Sequence, residues 1–202
     1  LALALLEGKA LRPTPQECLL LDFATYARFL LAVPLLFLSE VVVGPRLLKA
    51  GRQFLEGHFL REPDLPSVEA AVLRARQRRE ALPPELLMIV IGFSAPWILQ
   101  MEDWAGGGAA LSWRSGSGEA LLGLSLAGFW YQFIAVPLLQ FFMFRWLWRL
   151  VIWTLFLHDL SRLDLRLVPT HPDRAAGLGF LGGAHLSLAI FPFAFSCVLS
   201  AN

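Results

Sequence analysis

The sequence predicts an all-α fold, a polytopic transmembrane helix bundle with proline-kinked spans and a cytoplasmic helical hairpin. The first reason is Ala120–Leu157, ALLGLSLAGFWYQFIAVPLLQFFMFRWLWRLVIWTLFL, in which only Arg145 and Arg149 are charged. A crossing helix needs roughly 20 consecutive apolar residues to traverse about 30 Å of hydrocarbon, and this run exceeds that. The second is composition: 56% of residues are hydrophobic and mean hydropathy is +0.59, above the roughly 45–50% apolar usage of soluble domains. The third is that further apolar blocks are separated by polar connectors. Charged residues make up 16% of the chain and net charge is +1, so the basic surplus of a nucleic-acid binder is absent. Seven Trp and sixteen Phe suit aromatic anchoring at headgroup level.

LALALL (residues 1–6) reads as the tail of a span that begins upstream. EGKALRPTPQEC follows as a polar connector, held extended by Pro13 and Pro15, because proline disfavours helix in the residue before it. The block 19–43 is long enough to span but carries Asp22, Arg28 and Glu40, and Gly44-Pro45 is expected to break it. Residues 45–82 form the predicted cytoplasmic hairpin. GPRLLKAGRQFLEGHFL sets Leu47, Leu48, Phe54, Leu55 and Leu60 among Arg and Lys, as an interfacial helix does. VEAAVLRARQRREAL has the composition of a helix, with Ser67 as its expected N-cap.

Pro83-Pro84 opens the next span, 85–101, proline being suited to a first helical turn. The Gly/Ser-rich stretch AGGGAALSWRSGSG after MEDW is a flexible loop by composition. The remaining spans are 120–144 and 181–199, joined by an interfacial extension over 145–166 and a polar segment up to the glycine-rich turn. Pro34, Pro96, Pro137 and Pro192 put one proline in each span.

Basic residues set the threading. The 44–83 segment holds Arg46, Lys49, Arg52, Arg61, Arg74, Arg76, Arg78 and Arg79, whereas the 102–118 loop holds Arg114 alone. The positive-inside rule therefore puts 44–83 in the cytoplasm and the Gly-rich loop outside. A second crossing within the long stretch would need a turn at Val136-Pro137-Leu138-Leu139 with no polar residue to solvate it. It would also put Arg162, Arg166 and Arg174 outside, so one crossing kinked at Pro137 is expected.

Ionisable residues inside a span mark functional sites by default. Arg28 lies about 15 Å into its block on an ideal helix. Either it is buried and paired with a group from another helix, or the span starts near Phe29 and Arg28 snorkels to the surface. Tyr131, Gln132 and Gln140 are polar groups in the long span. They either glue helices together or line a polar path with Arg28. Proline-interrupted helices form ion and substrate sites in transporters, although proline is also simply more frequent in membrane helices.

In PTHPDRAAGLGFLG, His171, Asp173 and Arg174 fall between prolines and a glycine-rich turn. Asp173 suits turn formation and capping of the following helix; the alternative is a cytoplasmic ligand or ion site with His171 and Arg174. The spacing of His158, Asp159, His171, Asp173 and His185 matches no zinc pattern. Cys18 and Cys197 lack CxxC spacing, although the threading puts both near the outer side, where a bridge can persist. No Ser/His, HExxH or paired-carboxylate arrangement marks a catalyst, and no metal, cofactor or catalytic residue is assigned.

The PTHPDRAAGLGFLG stretch, following a Trp/Arg-rich helix end, resembles uncharacterised bacterial multi-pass membrane families. The resemblance covers roughly Arg145–Gly183, implies a bacterial inner-membrane location and brings no activity with it. The expected function is a channel or transporter subunit, with a polar path between kinked helices and a homo-oligomeric state. The alternative is a non-catalytic scaffold or sensor that offers its basic hairpin to a protein partner or to anionic lipid. The lipid bilayer is a partner in either case.

Overall fold

A computed structural model describes residues 2–8, 19–56, 65–105, 114 and 124–200. All regular structure among them is helical: α1 (Ala2–Leu6), a 3₁₀ turn (Leu19–Leu21), α2 (Phe23–Tyr26), α3 (Val33–Glu56), α4 (Leu65–Arg79), α5 (Leu82–Ala105), α6 (Leu126–Trp130), α7 (Val136–Ser161), α8 (Phe180–Leu188) and α9 (Ile190–Leu199). π-helical segments, Ala27–Ala32 and Tyr131–Ala135, join α2 to α3 and α6 to α7. Three helices among the described residues are long and apolar enough to cross a membrane: Phe23–Phe54, Leu126–Ser161 and Phe180–Leu199. The chain is a membrane protein.

The prolines act on the helices as their chemistry requires. Proline offers no N–H to the carbonyl four residues back. Pro34 and Pro137 each lie two residues past the end of a π-helical segment, where the ladder widens to the fifth residue; Val136 N–H accordingly bonds the Tyr131 carbonyl. Before Pro192 the helix is interrupted at Ala189, whose N–H reaches back three residues to Leu186. Leu126–Ser161 runs as one helix of 36 residues, with no turn at Val136–Leu139.

Three expectations differ from the structure. Gly44-Pro45 does not end the helix: α3 continues through Pro45 to Glu56. One lost hydrogen bond is outweighed there by packing, since Val43, Ala50 and Phe54, flanking the proline, are all buried. The interfacial extension ends at Ser161 rather than 166. Ser67, the expected N-cap, lies inside the first turn of α4, which starts at Leu65 with Pro66 next.

The described chain forms two compact units. The first comprises residues 1–32, 83–144 and 197–202. Its core joins Ala4, Leu19, Ala127 and Tyr131, with Leu3, Phe29 and Val136 against them. Gly92 of α5 comes close to α7 here, so that a Cβ added to it would lie 3.3 Å from the Pro137 carbonyl. The second comprises residues 33–82 and 145–196. Its α3 turns Leu36, Ser39, Val43, Ala50 and Phe54 inward, a helical stripe of the kind a single buried face produces. Phe54 packs edge-on to Phe156 and Phe180, and Trp146 stacks on Phe191. The basic helix α4 is tied into this unit through Val68 and Ala71, which are buried, and by polar contacts to α7.

Candidate functional site

The site in the first unit is built where the two π-helical segments meet. Asp22 starts α2 as its N-cap, accepting from Thr25 N–H at 3.1 Å and Thr25 Oγ1 at 2.8 Å. Six residues on, Arg28 is half-buried and its Nη1 donates to the Tyr131 hydroxyl at 2.6 Å. Arg28 and Asp22 lie on different faces of their helix, so the partner comes from another helix. The Tyr131 ring is 5% exposed, meets Phe29 edge-on at 5.8 Å and carries the Arg114 guanidinium 5.2 Å from its centroid. Tyrosine suits this position because its ring face attracts a cation while its hydroxyl accepts a hydrogen bond.

The neighbouring helix start is secured from two directions. Ser125 Oγ accepts from Gly128 N–H at 2.9 Å as the N-cap of α6. The Glu7 carboxylate, just past α1, accepts from Leu126 N–H at 2.8 Å, an acid at a helix N-terminus as the dipole favours. Gly128 lies against the Arg114 backbone so closely that a Cβ would overlap it. Gln132 is half-buried beside Tyr131, and Gln140 lies two turns further along, also half-buried. The Gln140 Oε1 atom is buried with no hydrogen-bond partner among the described residues.

Comparison of the chain with protein families, curated proteins and solved structures returns no match.

The segment after α7, in the second unit, brings His171 and Asp173 together: Nδ1 of the first is 2.8 Å from Oδ1 of the second. Asp173 accepts the N–H groups of Ala175 and Gly177 at 3.0 Å through Oδ1, and that of Gly179, the N-cap residue of α8, at 2.8 Å through Oδ2. This carboxylate holds a backbone that includes left-handed Arg174 (φ 56°) and Ala176 (φ 54°), conformations that cost non-glycine residues. Arg174 itself is exposed, and its N–H bonds the His171 carbonyl. Partial desolvation works against ionisation of Asp173. The N–H groups of Ala175, Gly179 and Gly177 and the His171 side chain outweigh it and hold the carboxyl well below the usual carboxylate range. A depressed pKa contributes stability that is complete above the ordinary value of 3.8 and is lost as pH falls below it. Asp173→Ala is expected to lower the melting temperature at pH 7 and to flatten the pH dependence of melting below pH 4. Asp173→Asn is expected to fall between, because its amide nitrogen cannot accept from either set of N–H groups. Equal melting of all three proteins at pH 7 would show that the turn does not depend on this carboxylate.

In the sequence Glu40 and Arg149 stand out only as charges within apolar blocks. The structure makes them a bidentate pair in the second unit, Nη1–Oε2 2.5 Å and Nη2–Oε1 2.6 Å. The Arg149 guanidinium also lies 4.9 Å from the Trp146 ring centroid, and Trp146 Nε1 donates to the Leu36 carbonyl at 3.2 Å. Opposite charges near the ends of two apolar blocks were the available signal. The basic helix α4 is fixed similarly: Arg74 bonds Asp159 at 3.2 Å, and Trp148 Nε1 donates to the Arg78 carbonyl at 3.2 Å. Among the described residues no group of three His, Cys, Asp or Glu side chains is placed to hold a metal ion. Cys18 and, apart from Ala105 and Arg114, the Gly-rich loop lie outside the described residues, and with Cys18 the bridge to Cys197.

Proposed function

We propose that the chain is a multi-pass protein of a bacterial inner membrane, acting as a channel or transporter subunit in a homo-oligomer. The observation that carries this reading is the Arg28–Tyr131 hydrogen bond, which joins two π-helical segments inside helices of membrane-spanning length. Ionisable groups within spans are costly and mark ion or substrate paths. Helices whose backbone bonding is loosened by proline expose carbonyls to a solute. The orphan acceptor of Gln140 adds a group that water or a solute would satisfy. Apolar side chains left exposed on α5, Leu86, Leu87, Val90 and Phe93 among them, suit contact with lipid or with another copy. The bacterial setting rests on the resemblance of PTHPDRAAGLGFLG.

A second reading, a scaffold or sensor working through its basic hairpin, is favoured by one observation. The helix α4 is anchored through Arg74 and Arg78 to Asp159 while Arg79 stays exposed.

Cysteine accessibility separates the two. In a background lacking Cys18 and Cys197, Gln132→Cys and Gln140→Cys are expected to react with a hydrophilic methanethiosulfonate, which needs water and thiolate, in the folded protein in lipid. A membrane-impermeant reagent added outside is expected to reach Ser115→Cys and not Arg174→Cys. Inert thiols at both glutamine positions, beside a reactive Arg76→Cys control, would dismiss the path. External labelling at position 174 would reverse the threading of the last span.

A further inference from the structure

Helix α3 has a second face that the site above does not use. Opposite its buried stripe, Pro34, Phe37, Leu38, Val41, Pro45, Leu48, Lys49 and Arg52 all stand exposed, and at 100° per residue they fall within one arc of the helix. The character of that arc changes along the axis. Phe37, Leu38 and Val41 are 56%, 49% and 72% exposed and apolar; eight residues after Val41, about 12 Å lower, come Lys49 and then Arg52. A surface helix crossing from hydrocarbon into headgroups has this sequence of side chains. Gly44-Pro45 marks the boundary, and Leu48, 60% exposed, remains as an apolar anchor beside the cations.

Lys49 and Arg52 differ from the paired arginines of this unit. Arg149, Arg74 and Arg78 of the same unit are matched to Glu40 and Asp159. Neither Lys49 nor Arg52, nor Arg46 one turn before them, has a hydrogen bond or ion pair among the described residues. They are three residues apart, hence neighbours about 5–6 Å apart at Cβ. With Pro45, Leu48 and Gln53 they line a cleft of about 470 Å³. We infer that this face binds one anionic phospholipid, its phosphate between Lys49 and Arg52 and its acyl chains along Leu48, Val41 and Phe37. Charge selects the occupant: an uncompensated pair of cations below an apolar strip complements a phosphodiester carrying hydrocarbon chains, whereas an apolar protein helix leaves both cations unmatched and a zwitterionic lipid brings a cation of its own beside its phosphate. The inference stands whether or not the protein transports anything.

Native mass spectrometry of the purified protein, with phosphatidylglycerol or phosphatidylcholine of identical acyl chains added, tests it. Phosphatidylglycerol is expected to be retained preferentially. A basic residue near an anionic headgroup contributes about fivefold in affinity, so Lys49→Gln with Arg52→Gln is expected to weaken phosphatidylglycerol binding about thirtyfold. Lys49→Arg should retain most of it, and Arg166→Gln, exposed and outside the hairpin, should leave it unchanged. Both glutamines replace exposed side chains, and circular dichroism will verify that the double variant is folded. Equal retention of the two lipids, or undiminished phosphatidylglycerol binding by the double variant, overturns the inference. Displacement of the lipid by inorganic phosphate alone would make this a free-phosphate site. Cross-linking of Leu48→Cys between two copies would make it a subunit interface.

Discussion

Arg28→Ala is expected to destabilise the first unit by about 1.5–3 kcal/mol, the range for a hydrogen bond to a charged group. The acceptor is the hydroxyl of Tyr131, a residue 5% exposed, so water replaces the lost donor poorly. Tyr131→Phe deletes the same bond from the other side and keeps the ring, hence its edge contact with Phe29 and the Arg114 guanidinium above it. It should therefore be milder than Tyr131→Ala, which also empties the core shared with Ala4, Leu19 and Ala127. Arg28→Lys is expected to recover part of the loss, because an ammonium reaches one acceptor but lacks the planar fork. Reversible unfolding in bicelles measures the ordering. The path reading adds a requirement that stability alone does not: Arg28→Lys, where folded, must change the reactivity of Gln132→Cys. If Arg28→Gln unfolds like the unaltered protein and leaves that reactivity alone, Arg28 serves neither structure nor path.

Why Arg28 was legible in the sequence and its partner was not is a matter of distance along the chain. A charge deep in an apolar block stands out against the cost of burying it, and the angle between Asp22 and Arg28 on a helix already requires a partner from elsewhere. Tyr131 is 103 residues away, and no periodicity links the two. Helices in the blocks 19–43, 85–101, 120–144 and 181–199 follow from hydropathy and proline placement, because both are local. The π-helical segments upstream of Pro34 and Pro137 also answer to a local cause, the missing N–H, although how the ladder repairs itself is set by packing. The reading failed at Gly44-Pro45 for the converse reason. A glycine-proline pair weakens a helix by local rules, and tertiary contacts of Val43, Ala50 and Phe54 override them. Asp173 was readable as a turn and cap residue. The number of N–H groups converging on it was not, since that depends on the left-handed backbone at 174 and 176.

Glu40→Ala is expected to cost the second unit more than Arg149→Met, although each removes one half of the same ion pair. The asymmetry lies in burial: the Arg149 side chain is 15% exposed and that of Glu40 47%. Without Glu40 a largely buried guanidinium keeps its charge, because arginine is not deprotonated in proteins, and retains only the Trp146 face. Breaking a fully buried pair costs about 3–5 kcal/mol; with one partner half exposed, solvent screening brings this to about 2 kcal/mol. Without Arg149 the carboxylate turns toward solvent, and Met refills much of the space over Trp146, so a loss of about 1 kcal/mol is expected. Arg149→Lys should resemble Arg149→Met more than the unaltered protein, since the bidentate geometry needs the fork. In the double variant Met has no charge to strand, so the losses should not add, leaving a coupling of about 1 kcal/mol or more. Urea unfolding of the four proteins in the same lipid gives all the terms. Strict additivity, or a greater loss from Arg149→Met than from Glu40→Ala, would mean that the pair is a surface contact and that Trp146, through its bond to the Leu36 carbonyl, holds α7 to α3 without it.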